Sequence, residues 1–243
     1  MRVLTILGIL GIAVSSFAAD DFDYKVANID VLRDKAVQTE LGITEGQRKT
    51  MNVFADTYSK ANNEKVAEYQ KAKKQPDQAF SKFSFDQYVK LRTSVLKTLS
   101  PNQIKRLREI TLRAAGPRAL LDKVVADKVG MPTPDYTKFC AAIREGDQSV
   151  AKIKKAVSDK VQLKYKNQKP PKTQKESDAL RVKLNADLEV EMKKRQAEMQ
   201  AAINASEAKT AKIVTKKYLD SLRLLMGKAF TPKAAAAPKT LGK

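Results

Sequence analysis

Three observations predict an all-α fold. No segment of the 243-residue chain alternates convincingly between apolar and polar residues at period two. Apolar residues recur instead at three- and four-residue steps. The breaks between these runs carry helix punctuation, with S/T-x-x-Q at starts and Gly or Pro at ends. The expected architecture is two related helical units, with a long helical hairpin projecting from the second.

Residues 1–19 stand apart from the fold. Arg2 precedes an apolar run over 3–14, and Ser16-Phe17-Ala18-Ala19 offers small residues for cleavage near Ala19. This is the pattern of a secretory signal peptide. The run is shorter than the about 20 apolar residues of a membrane span. With no Cys near the cleavage site, lipid attachment there is excluded. The expected location is the periplasm or the extracellular space.

The first unit, 20–116, opens on a loose acidic start, Asp20, Asp21 and Asp23. A helix over 29–41 places Ile29, Leu32, Ala36, Val37 and Leu41 on one face and ends at Gly42. Thr44-Glu45-Gly46-Gln47 is a capping box. It opens a helix with Met51, Phe54, Tyr58, Ala61 and Tyr69 on one stripe, which fades at Lys71–Lys74 and breaks at Pro76-Asp77. Phe80, Phe83, Phe85 and Tyr88 cluster beyond it, and the next helix climbs through Leu91, Val95 and Leu99. Ser100-Pro101-Asn102-Gln103 is a second box, with Pro at the first helical position. Ile104, Leu107, Ile110, Leu112 and Ala114 follow as a stripe, and Gly116-Pro117 stops it.

The second unit, 117–230, begins with a helix through Leu120, Leu121, Val124, Val125 and Val129, ending at Gly130. Thr133-Pro134 opens the next, with Thr133 as the cap. Placing Gly42 on Gly130 aligns Leu32 with Leu120, Asp34 with Asp122, Lys35 with Lys123, Val37 with Val125 and Ile43 with Met131. The shared L-x-D-K-[AV]-V-x-x-x-[LV]-G-[IM] pattern reads as a duplication. A hairpin over about 150–211 folds back at Pro170-Pro171. Its returning arm belongs to a periodic run over 176–226, with Leu180, Leu184, Leu188, Met192, Met199, Ile203 and Ile213 on a thin stripe. Such a stripe suits a hairpin or coiled coil. Glu189–Lys193 and Glu191–Arg195 stand at ion-pair spacing. Tyr218, Leu219, Leu222, Leu224 and Leu225 are expected to dock on the body, and 231–243 is a flexible basic tail.

Composition bounds the chemistry. The formal net charge is +20, or +19 once Arg2 leaves with the leader. Such a chain attracts anions: nucleic acid, anionic lipid, wall polymer, or acidic and partly unfolded proteins. Export disfavours nucleic acid, although 104–129, with Arg106, Arg108, Arg113 and Arg118, could pass for a helix-turn-helix. There is no His and one Cys, so no Ser–His or Cys–His pair and no intramolecular disulfide can form. Cys140 is expected to be a small buried hydrophobe, with an intermolecular disulfide as the alternative. No Gly-rich phosphate loop and no loop of spaced acids is present. No enzyme activity, cofactor or metal is expected. Asn204-Ala205-Ser206 matches a glycosylation sequon but falls within a helical run.

Three basic runs, Lys71/Lys73/Lys74, Lys152/Lys154/Lys155 and Lys193/Lys194/Arg195, are candidate client- or anion-binding positions. Each alone reads as a solvated face. Together they fit a function that uses a positive field.

Ile43-Thr44-Glu45-Gly46-Gln47 and Leu99-Ser100-Pro101-Asn102-Gln103 resemble the L-T-x-x-Q motif of the Spy/CpxP group of exported helical proteins. The first has Ile for Leu and the second Ser for Thr. At Thr133 the Gln position holds Tyr136. The resemblance implies a helical cradle, often dimeric, that holds partly unfolded clients without ATP or senses envelope stress. Layout and basic composition also resemble the Skp type of periplasmic chaperone. The resulting expectation is an exported binding protein of chaperone or stress-response type. The alternative is an envelope scaffold that binds anionic lipid or wall polymer through basic helices.

Overall fold

Aspartate side chains decide where the short helices begin. The computed structural model describes residues 20–168 and 171–230. The predicted leader, the predicted tail and Lys169-Pro170 lie outside the described residues. Among the described residues all regular structure is helical. The chain divides into two compact units, 20–116 with 225–230, and 117–224.

In the first unit, α1 (Asp21–Val26) replaces the loose acidic start. Asp20 caps it, and Phe22 and Asp23 are buried. The helix packs on α5, where Asp23 pairs with Arg108 at 2.7 Å, both side chains about 8% exposed. The single helix predicted over 29–41 is instead a 3-10 turn, Ile29–Arg33, and a separate α2 (Lys35–Glu40). Asp34 causes the break. Its carboxylate accepts from the Ala36 N–H at 2.7 Å, an alternative to helix that a short polar side chain offers its own backbone.

The second unit repeats this device. A 3-10 turn over Gly116–Leu121 precedes Asp122, which accepts from the Val124 N–H at 2.8 Å and caps α6 (Lys123–Lys128). Both short helices end in the same way. Gly42 and Gly130 adopt φ of +60° and +75°, and the following N–H groups of Ile43 and Met131 reach back to the carbonyls of Gln38 and Ala126 at 3.0 and 2.9 Å. This is the Schellman closure, and it needs glycine at the left-handed position. The aligned sequence pattern is therefore a repeated three-dimensional motif.

The helices α3 (Glu45–Lys71) and α4 (Gln78–Lys97) form an arm of the first unit, and α5 (Pro101–Ala115) runs beneath it. Leu32, Val37, Leu41, Met51, Leu96, Leu99, Ile104 and Leu107 fill the core at the arm's base. Towards the tip, Tyr69 and Phe80 meet edge to face at 5.2 Å, and the Lys65 ammonium lies over the rings of Tyr69 and Phe83. Phe85 leaves the predicted aromatic cluster and is 65% exposed.

Residues 225–230 return to this unit as a strap held by α5. Arg113 donates to the carbonyls of Met226 and Gly227 at 3.3 and 2.6 Å, Arg106 to that of Lys228 at 3.0 Å, and Arg108 to that of Leu225. Phe230 packs against the core.

In the second unit, α7 (Thr133–Tyr165) packs along both α8 (Gln174–Lys194) and α9 (Gln196–Ala211). The long periodic run is broken at Arg195 and again before α10 (Lys216–Leu225). Cross-pairs Lys160–Glu191 and Lys164–Asp187, both at 2.7 Å, fix an antiparallel register. The helices α7 and α9 come into close contact at Gly146 and Ser206. The Ser206 hydroxyl is buried and donates to the Ala142 carbonyl at 3.0 Å, so the serine of the apparent sequon belongs to the packing. Tyr218 and Leu222 of α10 are buried, whereas Leu224, expected to dock, is 83% exposed. Cys140 is half-buried rather than buried.

Candidate binding surfaces

The two motif glutamines meet at the base of the first arm. In each box the hydroxyl accepts from the glutamine backbone N–H, and the glutamine Oε1 accepts from the cap N–H, at 3.0 Å for Thr44 and 2.8 Å for Ser100. Each side chain then reaches across to the other box. Gln47 Nε2 donates to Gln103 Oε1 and to the Thr98 carbonyl, both at 2.8 Å. Gln103 Nε2 donates to Gln47 Oε1 at 3.2 Å and to the Leu41 carbonyl at 3.1 Å. The spacing that caps one helix thus also ties α3 to α5. Gln47→Ala and Gln103→Ala are each expected to cost about 1–2 kcal/mol, with the double variant losing less than the sum because the partners are shared. Urea unfolding of the three variants measures this.

The third predicted cap is different. Pro132 occupies the N-cap of α7 without a side-chain bond, and Thr133 is the first helical residue. The alignment of Gly42 with Gly130 itself places Pro132 opposite Thr44. Tyr136, three residues after Thr133, donates to the Leu121 carbonyl at 3.0 Å. A box not foreseen caps α8, where Thr173 accepts from the Glu176 N–H at 3.2 Å.

Both arms carry unburied apolar side chains among cations. On α3–α4 these are Val53, Val66, Phe85 and Val89; on α7–α9 they are Leu163, Val182, Val190 and Ile203. The 21-residue α8 has no buried residue. Its predicted stripe, Leu180, Leu184, Leu188 and Met192, is half-buried, and the three leucines line a shallow groove with Val161 of α7. A deeper cleft of about 430 Å³ opens between α7, α9 and α10, floored by Phe139, Ile143, Ile203 and Leu219, with the Arg118–Asp147 pair at its rim.

All nine basic-run residues are exposed. Lys71, Lys73 and Lys74 lie at the tip of the first arm, and among the described residues none forms an ion pair. In the second arm the antiparallel register brings Lys152, Lys154 and Lys155 to the level of the α8–α9 break that holds Lys193, Lys194 and Arg195. Lys155 pairs with Asp159, Lys194 with Glu191 and Arg195 with Glu198. Lys152, Lys154 and Lys193 have no ion pair among the described residues.

Glu191 does not pair with Arg195 as its spacing predicts. Lys160 and Lys194 each donate to its carboxylate at 2.7 Å and hold its pKa at about 2, against an ordinary 4.5. The folded value lies below the unfolded one. The pairing therefore contributes stability above about 4.5 that is lost as pH falls towards 2. An NMR titration of the Glu191 carboxyl should give a midpoint near 2, and Lys160→Ala should raise it.

The four arginines of the helix-turn-helix test all have partners within the protein. Arg106 pairs with Glu40 and Glu109, Arg108 with Asp23 and Arg118 with Asp147, while Arg113 binds the strap. Among the described residues no three His, Cys, Asp or Glu side chains converge on a metal-sized space, and no helix is long and apolar enough to cross a membrane. No protein-family model, curated protein or solved structure matches the chain.

Proposed function

We propose that the chain is an exported helical binding protein of chaperone or envelope-stress type, which holds partly unfolded or acidic clients without ATP. The observation that carries this is α8, a 21-residue helix with no buried residue, whose Val182 is exposed between Arg181 and Lys183 and whose Val190 is exposed one turn before Lys193 and Lys194. A helix so arranged offers apolar contact beside charged groups of both signs, with its cations gathered at the Lys193-Lys194 end. The unpaired lysines at the tip of the first arm add long-range attraction. The likeness of the Thr44 and Ser100 boxes to the Spy/CpxP motif points the same way.

Affinity of this kind is a sum of weak contacts, with charge accelerating encounter. Ions screen that attraction, over about 10 Å at 0.1 M salt. The protein lacking residues 1–19 should therefore suppress light scattering by a chemically unfolded client at low salt, and less at high salt. No suppression at any salt would remove the reading. Retention on anionic vesicles or wall polymer without client activity would replace it with the scaffold.

A further inference from the structure

Most guanidinium groups of the first unit are committed. Arg92 donates to the carbonyls of Tyr24, Lys25 and Ala27, and Arg106, Arg108 and Arg113 hold carboxylates or the strap. Arg33 and Arg48 differ. Each makes one exposed ion pair at 3.3 Å, Arg33 with Asp30 at the groove's edge and Arg48 with Glu45, and neither guanidinium donates a hydrogen bond to another described residue. Their side chains are 85% and 49% exposed. Both line the same groove, about 380 Å³ in volume, between the 3-10 turn and the α3–α4 arm.

The groove is built like a recognition site. Leu32, Met51 and Val95 give it an apolar floor. Tyr58, Asn52 and Ser59 line it with side-chain polar groups that make no hydrogen bond within the described residues. Its volume lies within the about 300–1,000 Å³ of ligand pockets, which pair apolar walls with a few placed polar groups. A guanidinium whose one carboxylate contact is an exposed pair at 3.3 Å keeps donors open for a second carboxylate, which matches it in shape and charge.

We propose that this groove binds extended segments of non-native polypeptide in which apolar side chains alternate with carboxylates. The assignment rests on the client-binding reading and names the segment that one site selects. Apolar side chains enter between Met51 and Tyr88. The flanking carboxylates take the forks of Arg33 and Arg48, and the unfilled polar groups serve the segment's backbone. Segments alternating leucine with lysine are repelled by the same two arginines.

The test uses the protein lacking residues 1–19 and short fluorescein-labelled peptides, one alternating leucine with glutamate and one leucine with lysine. Anisotropy should report binding of the first and not the second. Arg33→Ser/Arg48→Ser should weaken the glutamate peptide about tenfold, since two charge-assisted contacts are lost. Ala55→Trp, which fills the groove from an exposed position of α3, should weaken it similarly. Lys97→Ser/Lys105→Ser removes equal charge from exposed sites outside the groove and should change affinity far less. Equal affinity in groove and control variants, or equal binding of both peptides, overturns the assignment. Client suppression that persists alongside such a result leaves the broader reading standing. Absence of suppression in the unaltered protein removes both.

Discussion

Gly146→Ala is expected to destabilise the second unit by about 2–3 kcal/mol, the upper part of the range for overpacking a well-packed contact. A Cβ at Gly146 would lie 2.5 Å from the Ser206 Cβ and 2.7 Å from its Oγ. Neither position yields easily, because the Ser206 hydroxyl is bonded to the Ala142 carbonyl inside the α7–α9 contact. The added methyl must push the helices apart along the approach that holds the arm to its base. Ser206→Gly removes the obstructing atoms, so the double variant should recover most of what Gly146→Ala loses, despite the lower helix propensity of glycine. Thermal unfolding of both single variants and the double variant measures the coupling. Additive losses would show that the steric account is wrong.

Asp23→Ala should be costlier still, at about 3–5 kcal/mol, because it leaves the Arg108 guanidinium buried without its counter-charge. The pair is enclosed on both sides, and Arg108 also lies over the Phe22 ring at 5.5 Å. Replacing both partners by apolar residues, Asp23→Leu with Arg108→Met, should be less damaging than Asp23→Ala alone, since no charge remains to be hydrated. Denaturant unfolding distinguishes these outcomes. A loss below 1 kcal/mol for Asp23→Ala would place water, rather than protein, around the guanidinium.

These two sites differ in how far the sequence discloses them. The all-α class, the boxes at Thr44 and Ser100 and the stops at Gly42, Gly116 and Gly130 are legible because capping and left-handed closure act within five residues of chain. The break at Asp34 is harder to read, since the apolar positions over 29–41 fit one continuous helix as well as a turn followed by a helix. Pairings between distant segments escape local rules. Glu191 takes Lys160, 31 residues away, over the neighbour at i+4, and Asp23 finds Arg108 across 85 residues. The box at Thr173-Gln174-Lys175-Glu176 is visible in the sequence, yet reads first as part of the turn at Pro170-Pro171. The recognition groove is the least legible feature. The availability of Arg33 and Arg48 emerges only after the partners of Arg92, Arg106, Arg108 and Arg113 have been located.

The strap sets the order in which the molecule can be completed. A chain made from its N-terminus presents Arg106, Arg108 and Arg113 long before residues 225–230, the carbonyls they hold, have been synthesised. Throughout that interval α5 lacks those contacts, and the whole of 117–224 is made before it ends. The half of the protein that is begun first is therefore the half that is sealed last.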